Sequence, residues 1–142
     1  MKLQEVAPDA WKTLYHLESY VMKSKVNATH RELIKIRASQ INGCAFCIDM
    51  HTKDARKAGE TEQRIYALNA WRETPFFTDE ERAVLALTEE VTLIQHHVSE
   101  KTYADALGIL GEQYIADTLM AIVAINAWNR IAIATLMSPV LN

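Results

Sequence analysis

The sequence predicts a single all-α domain, on the basis of three observations. Its 142 residues are enough for one hydrophobic core and too few to expect two. Apolar residues recur at helical spacing along most of the chain, and no segment alternates apolar and polar residues convincingly as a half-buried strand does. Hydrophobic residues make up 49% and charged residues 23%, which is typical of a globular protein. We therefore expect one compact multi-helix domain over residues 1–142.

Short breaks divide the chain into helices. Pro8 opens the first predicted helix, and Thr29 is expected to cap the second, with Glu32 completing a reciprocal capping box. Gly43 ends this second helix, because glycine tolerates the left-handed conformation in which helices often stop. The later helices are predicted over residues 44–57, 61–71, 78–94, 99–108 and 113–137.

Charge and hydropathy exclude two classes of partner. The net charge is −3 and no basic stripe is present, so nucleic acid is not an expected partner. The most apolar stretch, IADTLMAIVAINAWNRIAIATLM, reaches membrane-spanning length, but Asp117, Asn126, Asn129 and Arg130 interrupt it. This pattern favours a buried helix whose polar groups bond to helix ends or across a subunit contact. Because the first residues contain no secretory signal, we expect no membrane association and a cytoplasmic location.

Both cysteines of the chain lie in the segment INGCAFCIDMH, residues 41–51. In a helix over residues 44–57, the side chains of Cys44, Cys47 and His51 lie on one face in consecutive turns. A cysteine near a helix N-terminus is favoured as the thiolate, and a neighbouring imidazole can accept the thiol proton. A nucleophilic thiolate, a base and a second thiol that resolves a sulfenic acid are the groups that peroxide reduction requires.

The motif also allows interpretations other than peroxide chemistry. Unpaired cysteines are among the most often buried residues, so the pair can be structural. The motif C-x-x-C followed by His offers three zinc ligands, but no second half with ligand spacing is present. Haem attachment needs a His directly after the second cysteine, where Ile48 stands, and a thioredoxin-like reductase needs a βαβ unit. We expect no metal, flavin or haem cofactor.

The segment RASQINGCAFCIDMHTKDARKAGETEQRIYAL resembles the alkylhydroperoxidase AhpD-like core of the carboxymuconolactone decarboxylase superfamily. The resemblance covers about residues 28–95. Its signature is a Glu, eleven residues, and then C-x-x-C-x-x-x-H, which Glu32, Cys44, Cys47 and His51 match in step. The resemblance implies an AhpD-like helical fold with the C-x-x-C at the start of a central helix. The decarboxylase branch generally lacks the cysteine pair, which argues against lactone decarboxylation.

The resemblance also implies catalytic roles for these four residues. Cys47 would be the peroxidatic thiol and Cys44 the resolving thiol, with Glu32 and His51 in a proton relay that deprotonates them. The helix dipole alone favours Cys44 as the attacking thiol, since Cys44 is nearer the helix start, so the two arguments disagree on the order. Phe46 stands where characterised alkylhydroperoxidases carry a His, and we expect it to pack against a neighbouring helix or subunit.

The sequence therefore predicts a thiol-dependent peroxidase that reduces organic hydroperoxides or hydrogen peroxide. An external thiol or dithiol would act as the reductant, and the resemblance implies a homo-oligomer, commonly a trimer or hexamer. Two alternatives stay open: a dithiol–disulfide oxidoreductase or redox sensor that acts on protein partners, and a non-enzymatic helical module with a structural thiol pair. Trp71 and Trp128 are interpreted as core or interface aromatics.

Overall fold

A computed structural model describes residues 1–141, and every regular element in that range is helical. The α-helices of these residues are α1 (Leu3–Val6), α2 (Pro8–Lys23), α3 (Ala28–Asn42), α4 (Ala45–Lys57), α5 (Glu62–Tyr66), α6 (Asp79–Thr92), α7 (Glu100–Leu110) and α8 (Glu112–Ala134). Two short 3-10 segments cover Leu68–Glu73 and Ile94–His96. The predicted all-α class is confirmed.

Helix α3 lies at the centre of the fold and packs against α4, α6 and α8. Ile34 and Ala38 are buried in a core shared with α6 and α8. Leu33 and Ile36 are buried in a second core, formed with α4, α6 and the 3-10 segment Leu68–Glu73. Because two sides of α3 are buried in different cores, its apolar residues do not form a single stripe, and their helical period in the sequence is only loose.

A line of polar residues, here called the polar stripe, follows a third side of α3: Glu32, Lys35, Ser39 and Asn42. Their spacing of three, four and three residues places them on one face of the helix. Each is bonded to another helix: Glu32 to His51 on α4, Lys35 to Glu18 on α2, and both Ser39 and Asn42 to Asn129 on α8. Buried polar groups are stable only when they are bonded, so these contacts specify how three helices surround α3.

Two polar residues in the apolar helix α8, Asn126 and Asn129, bond to the end of α3, in agreement with the predicted bonding to helix ends. Asn129 is fully buried, accepts a hydrogen bond from Asn42 Nδ2 at 2.9 Å and donates one to Ser39 Oγ at 3.0 Å. Asn126 also accepts from Asn42 Nδ2, at 3.0 Å. No helix within residues 1–141 is long and apolar enough to cross a membrane.

The start of α3 differs from the predicted start. Asn27, not Thr29, is the N-cap, and its side-chain oxygen accepts a hydrogen bond from the backbone N–H of His30 at 2.8 Å. The helix consequently begins at Ala28, and Glu32 is its fifth residue. The predicted capping box of Thr29 and Glu32 is therefore wrong. The carboxylate of Glu32 instead bonds to a side chain of α4, because the packing of α3 on α4 offers it a buried partner.

The predicted helix over residues 61–71 is divided into two elements. Thr61 caps α5 as expected, with its side chain accepting from the backbone N–H of Arg64, but α5 ends at Tyr66. A 3-10 segment follows, in which Leu68 and Trp71 are both buried. The segment is kinked at Ala70, whose backbone is not helical, and the side chains of Leu68 and Trp71 on either side of the kink lie in the same core.

Two further helix ends also differ from the prediction. Helix α7 continues through Gly108 to Leu110 and stops before Gly111, which has a positive φ of 79°. Helix α8 ends at Ala134 instead of Met137. Its end is fixed by Leu136, which takes a positive φ of 59°, and by a hydrogen bond from the backbone N–H of Met137 to the carbonyl of Ala132.

Candidate active site

The cysteine motif begins at the junction between α3 and α4. Gly43 takes the left-handed conformation, with φ of 70°, and ends α3. The backbone N–H of Cys44 then donates to the carbonyl of Ser39 at 3.0 Å, which satisfies one of the last carbonyls of the helix. Cys44 is the N-cap of α4, which begins at Ala45 instead of at Cys44 itself, so Cys47 also lies in the first turn. Both sulfurs are near the positive end of the α4 dipole.

Cys44 and Cys47 are joined in a disulfide with a Cα–Cα distance of 5.3 Å. Both residues are buried, with 1% and 2% of their surfaces exposed, and they pack against Ala132 of α8. Phe46 packs against the same cluster, as expected for a contact with a neighbouring helix. Cys47 lines a cleft of about 430 Å³, whereas Cys44 is not part of the cleft wall. Of the two cysteines, Cys47 is therefore the one that adjoins the cleft.

His51 and Glu32 form an acid–base pair beside the disulfide. His51 follows Cys47 by one helical turn, and both side chains line the same cleft. The Nδ1 atom of His51 lies 3.2 Å from Oε2 of Glu32, and only 6% of the surface of His51 is exposed. Glu32 in turn lines a second cavity of about 340 Å³, together with Arg64 and Glu81. The pair therefore connects the cleft beside Cys47 with a separate cavity.

A second charged pair in the cleft was not found by the sequence analysis. Lys35 Nζ lies 2.5 Å from Oε1 of Glu18, and both residues line the cleft. Lys35 is buried, with 5% of its surface exposed, although lysine is rarely buried unless it is paired. The spacing of Lys35 from Glu32 on α3 indicates that the two share a face, but only the packing of α2 on the rest of the domain identifies Glu18 as its partner.

An aromatic wall, formed by Trp11, Tyr15 and Trp128, borders the same cleft. The ring centroids of Trp11 and Trp128 are 4.9 Å apart, and those of Tyr15 and Trp128 are 5.5 Å apart, both in edge-to-face geometry. The sequence interpretation of Trp128 as a core or interface residue missed its place in the cleft. The spacing of four residues between Trp11 and Tyr15 shows that they share a helix face, but nothing local relates that face to α8.

The four residues of the sequence motif are thus brought together in the fold. Within residues 1–141, no three His, Cys, Asp or Glu side chains are grouped so that they would hold a metal ion. The arrangement combines a dithiol/disulfide pair, an imidazole held by a carboxylate, and a cleft lined by one of the two cysteines. These groups can carry out thiol redox chemistry with coupled proton transfer on a small molecule.

Comparison with known sequences identifies relatives of this chain. The model of the carboxymuconolactone decarboxylase family matches residues 7–90. The uncharacterised protein YdfG of Bacillus subtilis (strain 168) is 52% identical over 131 residues, which cover 92% of this chain and 89% of YdfG. The uncharacterised protein YnjA of Escherichia coli (strain K12) is 29% identical over 85 residues, covering 60% of this chain and 44% of YnjA.

Solved structures share the fold. ATU0492 of Agrobacterium tumefaciens, a protein of unknown function described as a candidate antioxidant defence protein AhpD, superposes with a TM-score of 0.95 at 38% identity, over 99% of this chain and 98% of its own. The debrominase Bmp8, solved in complex with 2,3,4-tribromopyrrole, has a TM-score of 0.86 at 16% identity, over 97% of this chain and 74% of Bmp8. At that identity the likeness to Bmp8 concerns the fold alone.

Proposed function

This chain belongs to the carboxymuconolactone decarboxylase family and has an AhpD-like fold, and we propose that it acts as a thiol-dependent peroxidase on organic hydroperoxides or hydrogen peroxide. One observation carries the proposal. Cys47 and His51 line one cleft, Cys44 is joined to Cys47 in a disulfide but is not part of the cleft lining, and Glu32 contacts His51. The catalytic roles below are part of the proposal.

In the first step the thiolate of Cys47 attacks the terminal oxygen of a hydroperoxide. A sulfur–oxygen bond forms and the oxygen–oxygen bond breaks, so that Cys47 becomes a sulfenic acid and the substrate leaves as an alcohol, or as water from hydrogen peroxide. We assign the attack to Cys47 because it lines the cleft, whereas Cys44 does not. Access thus supports the order that the family resemblance implies over the order that the dipole argument favours.

In the second step the thiolate of Cys44 attacks the sulfur of the sulfenic acid. The disulfide forms and the hydroxyl group leaves as water after taking up a proton, so each cycle oxidises two thiols and reduces one peroxide. An external thiol or dithiol returns two electrons and two protons to the pair. The Cα–Cα distance of 5.3 Å lies in the range of about 4.4–6.8 Å usual for disulfides, so the backbone already has the spacing that the bond requires.

The pair of His51 and Glu32 would move the protons of this cycle. His51 lies on the same helix face as Cys47, one turn away, where it can accept the thiol proton and return it to the departing oxygen. Glu32 holds Nδ1 of the ring, which fixes the orientation of the imidazole for proton transfer at its other nitrogen. Because Glu32 also lines the second cavity, the pair has a route for exchanging protons away from the substrate cleft.

Exchange with protein disulfides is the less favoured alternative. A protein disulfide must approach the attacking sulfur closely and in line, but Cys47 has only 2% of its surface exposed, at the wall of a cleft. A small peroxide can enter such a cleft, whereas a folded protein partner would have to present an extended segment to it.

We also propose that the protein is a cytoplasmic homo-oligomer, a trimer or hexamer. Outward-facing apolar residues support self-association: Met120, Val123 and Ile133 on α8 and Leu107 and Ile109 on α7 have between 37% and 48% of their surfaces exposed. A catalytic dithiol is also typical of reducing compartments. Light scattering coupled to size exclusion measures the subunit number, and a monomer at micromolar concentration would contradict the assembly.

The experiment that tests the activity is intact mass spectrometry of the reduced protein after brief exposure to one equivalent of hydroperoxide. The wild type should lose two hydrogens quickly, and Cys44→Ser should accumulate a sulfenic acid on Cys47. A trapped species only in Cys47→Ser would reverse the roles of the two thiols. A wild-type rate no faster than that of free cysteine would overturn the proposed peroxidase.

A further inference from the structure

Resting on the proposed peroxidase function, we propose that the substrate of this chain is a neutral hydroperoxide that carries an aromatic ring, and that the aromatic wall binds this ring. One cleft is lined both by Cys47 and by the aromatic wall of Trp11, Tyr15 and Trp128. A ring held against the wall would therefore keep a hydroperoxide attached to it close to Cys47.

The geometry of the wall suits a further ring. Its three side chains come from two helices, and their centroids lie between 4.9 and 5.7 Å apart in tilted and edge-to-face contacts. Such clusters accept an additional ring at about 4.5–7 Å, where edge and face charges of opposite sign meet. Although Tyr15 belongs to the cluster, 55% of its surface is exposed, so part of the aromatic wall is open to a ligand.

The volume of the cleft exceeds what hydrogen peroxide needs. Its volume of about 430 Å³ lies within the range of roughly 300–1,000 Å³ typical of sites for small organic molecules. Hydrogen peroxide is about the size of two water molecules, each of which takes roughly 30 Å³ in the liquid, and would leave most of the cleft to solvent. Phe46, Met50 and Ile131 add apolar surface to the lining, which favours an organic group over water.

The charges in the cleft favour a neutral ligand. Among the described residues that line the cleft, Lys35 is the one lysine or arginine, and its ammonium group is already bonded to Glu18 at 2.5 Å. Asp54 adds a further carboxylate to the lining of the cleft. Because Lys35 is paired with Glu18, the described lining offers no unpaired lysine or arginine to a substrate carboxylate. An anionic hydroperoxide would therefore lose hydration without gaining a partner.

Cumene hydroperoxide and tert-butyl hydroperoxide form a matched pair for the test, since they differ only by phenyl in place of one methyl group. The second-order rate constant for disulfide formation in the reduced protein would be measured with each, and each value divided by the rate constant for free cysteine with the same peroxide. We expect this normalised value to be at least about ten-fold higher for cumene hydroperoxide, the gain typical of burying an aromatic group.

The variant Trp11→Ala should lower the ratio of the two normalised values towards one, and Tyr15→Ala, which removes a more exposed side chain, should lower it as well. Trp71→Phe is the matched control, because Trp71 is buried outside the cleft and should keep the wild-type ratio. Cumyl alcohol, the non-oxidising product, should bind the oxidised wild type, observed by ligand NMR, and should bind Tyr15→Ala more weakly.

The outcomes separate this inference from the proposed function. If both peroxides oxidise the protein much faster than free cysteine but with a ratio near one, the peroxidase stands and the aromatic substrate is overturned. A high ratio that both cleft variants retain would overturn the role of the aromatic wall. If neither peroxide reacts faster than with free cysteine, the proposed function itself is overturned.

Discussion

The Glu32 carboxylate lies 3.2 Å from Nδ1 of His51, and the two side chains open on different cavities. The contact joins α3 to α4 across a distance of 19 residues in the sequence. It places a carboxylate behind the imidazole that neighbours Cys47, in the order that acid–base relays use.

The first prediction concerns Glu32 as a positioning residue that acts through His51. Glu32→Gln should slow peroxide-dependent disulfide formation about 10²-fold near neutral pH, the lower end of the range typical of general acid–base catalysis. The deficit should shrink as the pH rises, because the thiol then ionises without a base. Stopped-flow measurement of the rate against pH checks both effects.

Glu62→Gln provides the matched control for this prediction, since the Glu62 side chain is 61% exposed and is outside the substrate cleft. It should retain the wild-type rate, and Glu32→Asp should restore part of the loss of Glu32→Gln. A loss in Glu32→Gln that stays constant across the pH range would contradict the relay and indicate a structural role.

The second prediction follows from the corrected start of α3. Asn27→Ala should lower the free energy of unfolding by about 1 kcal/mol, because the backbone N–H of His30 loses its acceptor. Thr29→Ala should change it by less than about 0.5 kcal/mol, as is usual for an exposed position without special contacts. Urea unfolding measures both changes in the free energy of unfolding. A larger loss in Thr29→Ala than in Asn27→Ala would support Thr29 as the N-cap, as the sequence predicted.

The third prediction tests the polar stripe. Asn129→Leu keeps the number and branching of the side-chain heavy atoms but removes the donor to Ser39 Oγ and the acceptor of Asn42 Nδ2, and should lower the free energy of unfolding by about 1–3 kcal/mol in urea titrations. Adding Ser39→Ala should recover part of the loss, since the buried hydroxyl without a partner is then removed. Arg130→Ala, at an exposed neighbouring position, should have little effect. Equal losses in the single and double variants would contradict the bond as the source of stability.

The fourth prediction concerns Asp117, which ties α8 to α2. Hydrogen bonds from the Tyr20 hydroxyl at 2.7 Å and from the backbone N–H of Lys25 at 3.0 Å lower the pKa of Asp117 below its ordinary value of 3.8. Because the folded state favours the ionised form, this stabilisation is fully present above about pH 3.8 and is lost as the pH falls through the lower, folded pKa.

Asp117→Asn should therefore be less stable than the wild type at neutral pH, and the difference should narrow below pH 3.8. Urea midpoints measured from pH 7 down to pH 3 show this, with Asp105→Asn on the exposed side of α7 as the control. A difference that is independent of pH over this interval would indicate that ionisation of Asp117 does not stabilise the fold.

The features that could be predicted from the sequence are those that depend on local interactions. The all-α class, most helix positions and the shared face of Cys44, Cys47 and His51 follow from contacts within a few residues, because helical spacing, caps and glycine act over one or two turns. The family resemblance added Glu32 to this set. Local signals did not suffice at the start of α3, where the sequence predicted Thr29 as the N-cap and the structure has Asn27.

The contacts between these residues, and the side chains that surround them, depend on the tertiary structure and could not be predicted from local sequence. The contact of Glu32 with His51, the pairing of Lys35 with Glu18, and the aromatic wall each join residues from different helices. The presence of Cys47 and absence of Cys44 in the cleft lining likewise depend on how α8 and α2 pack near the start of α4. Such relationships arise from helix packing around α3, and the packing depends on side chains far apart in the chain.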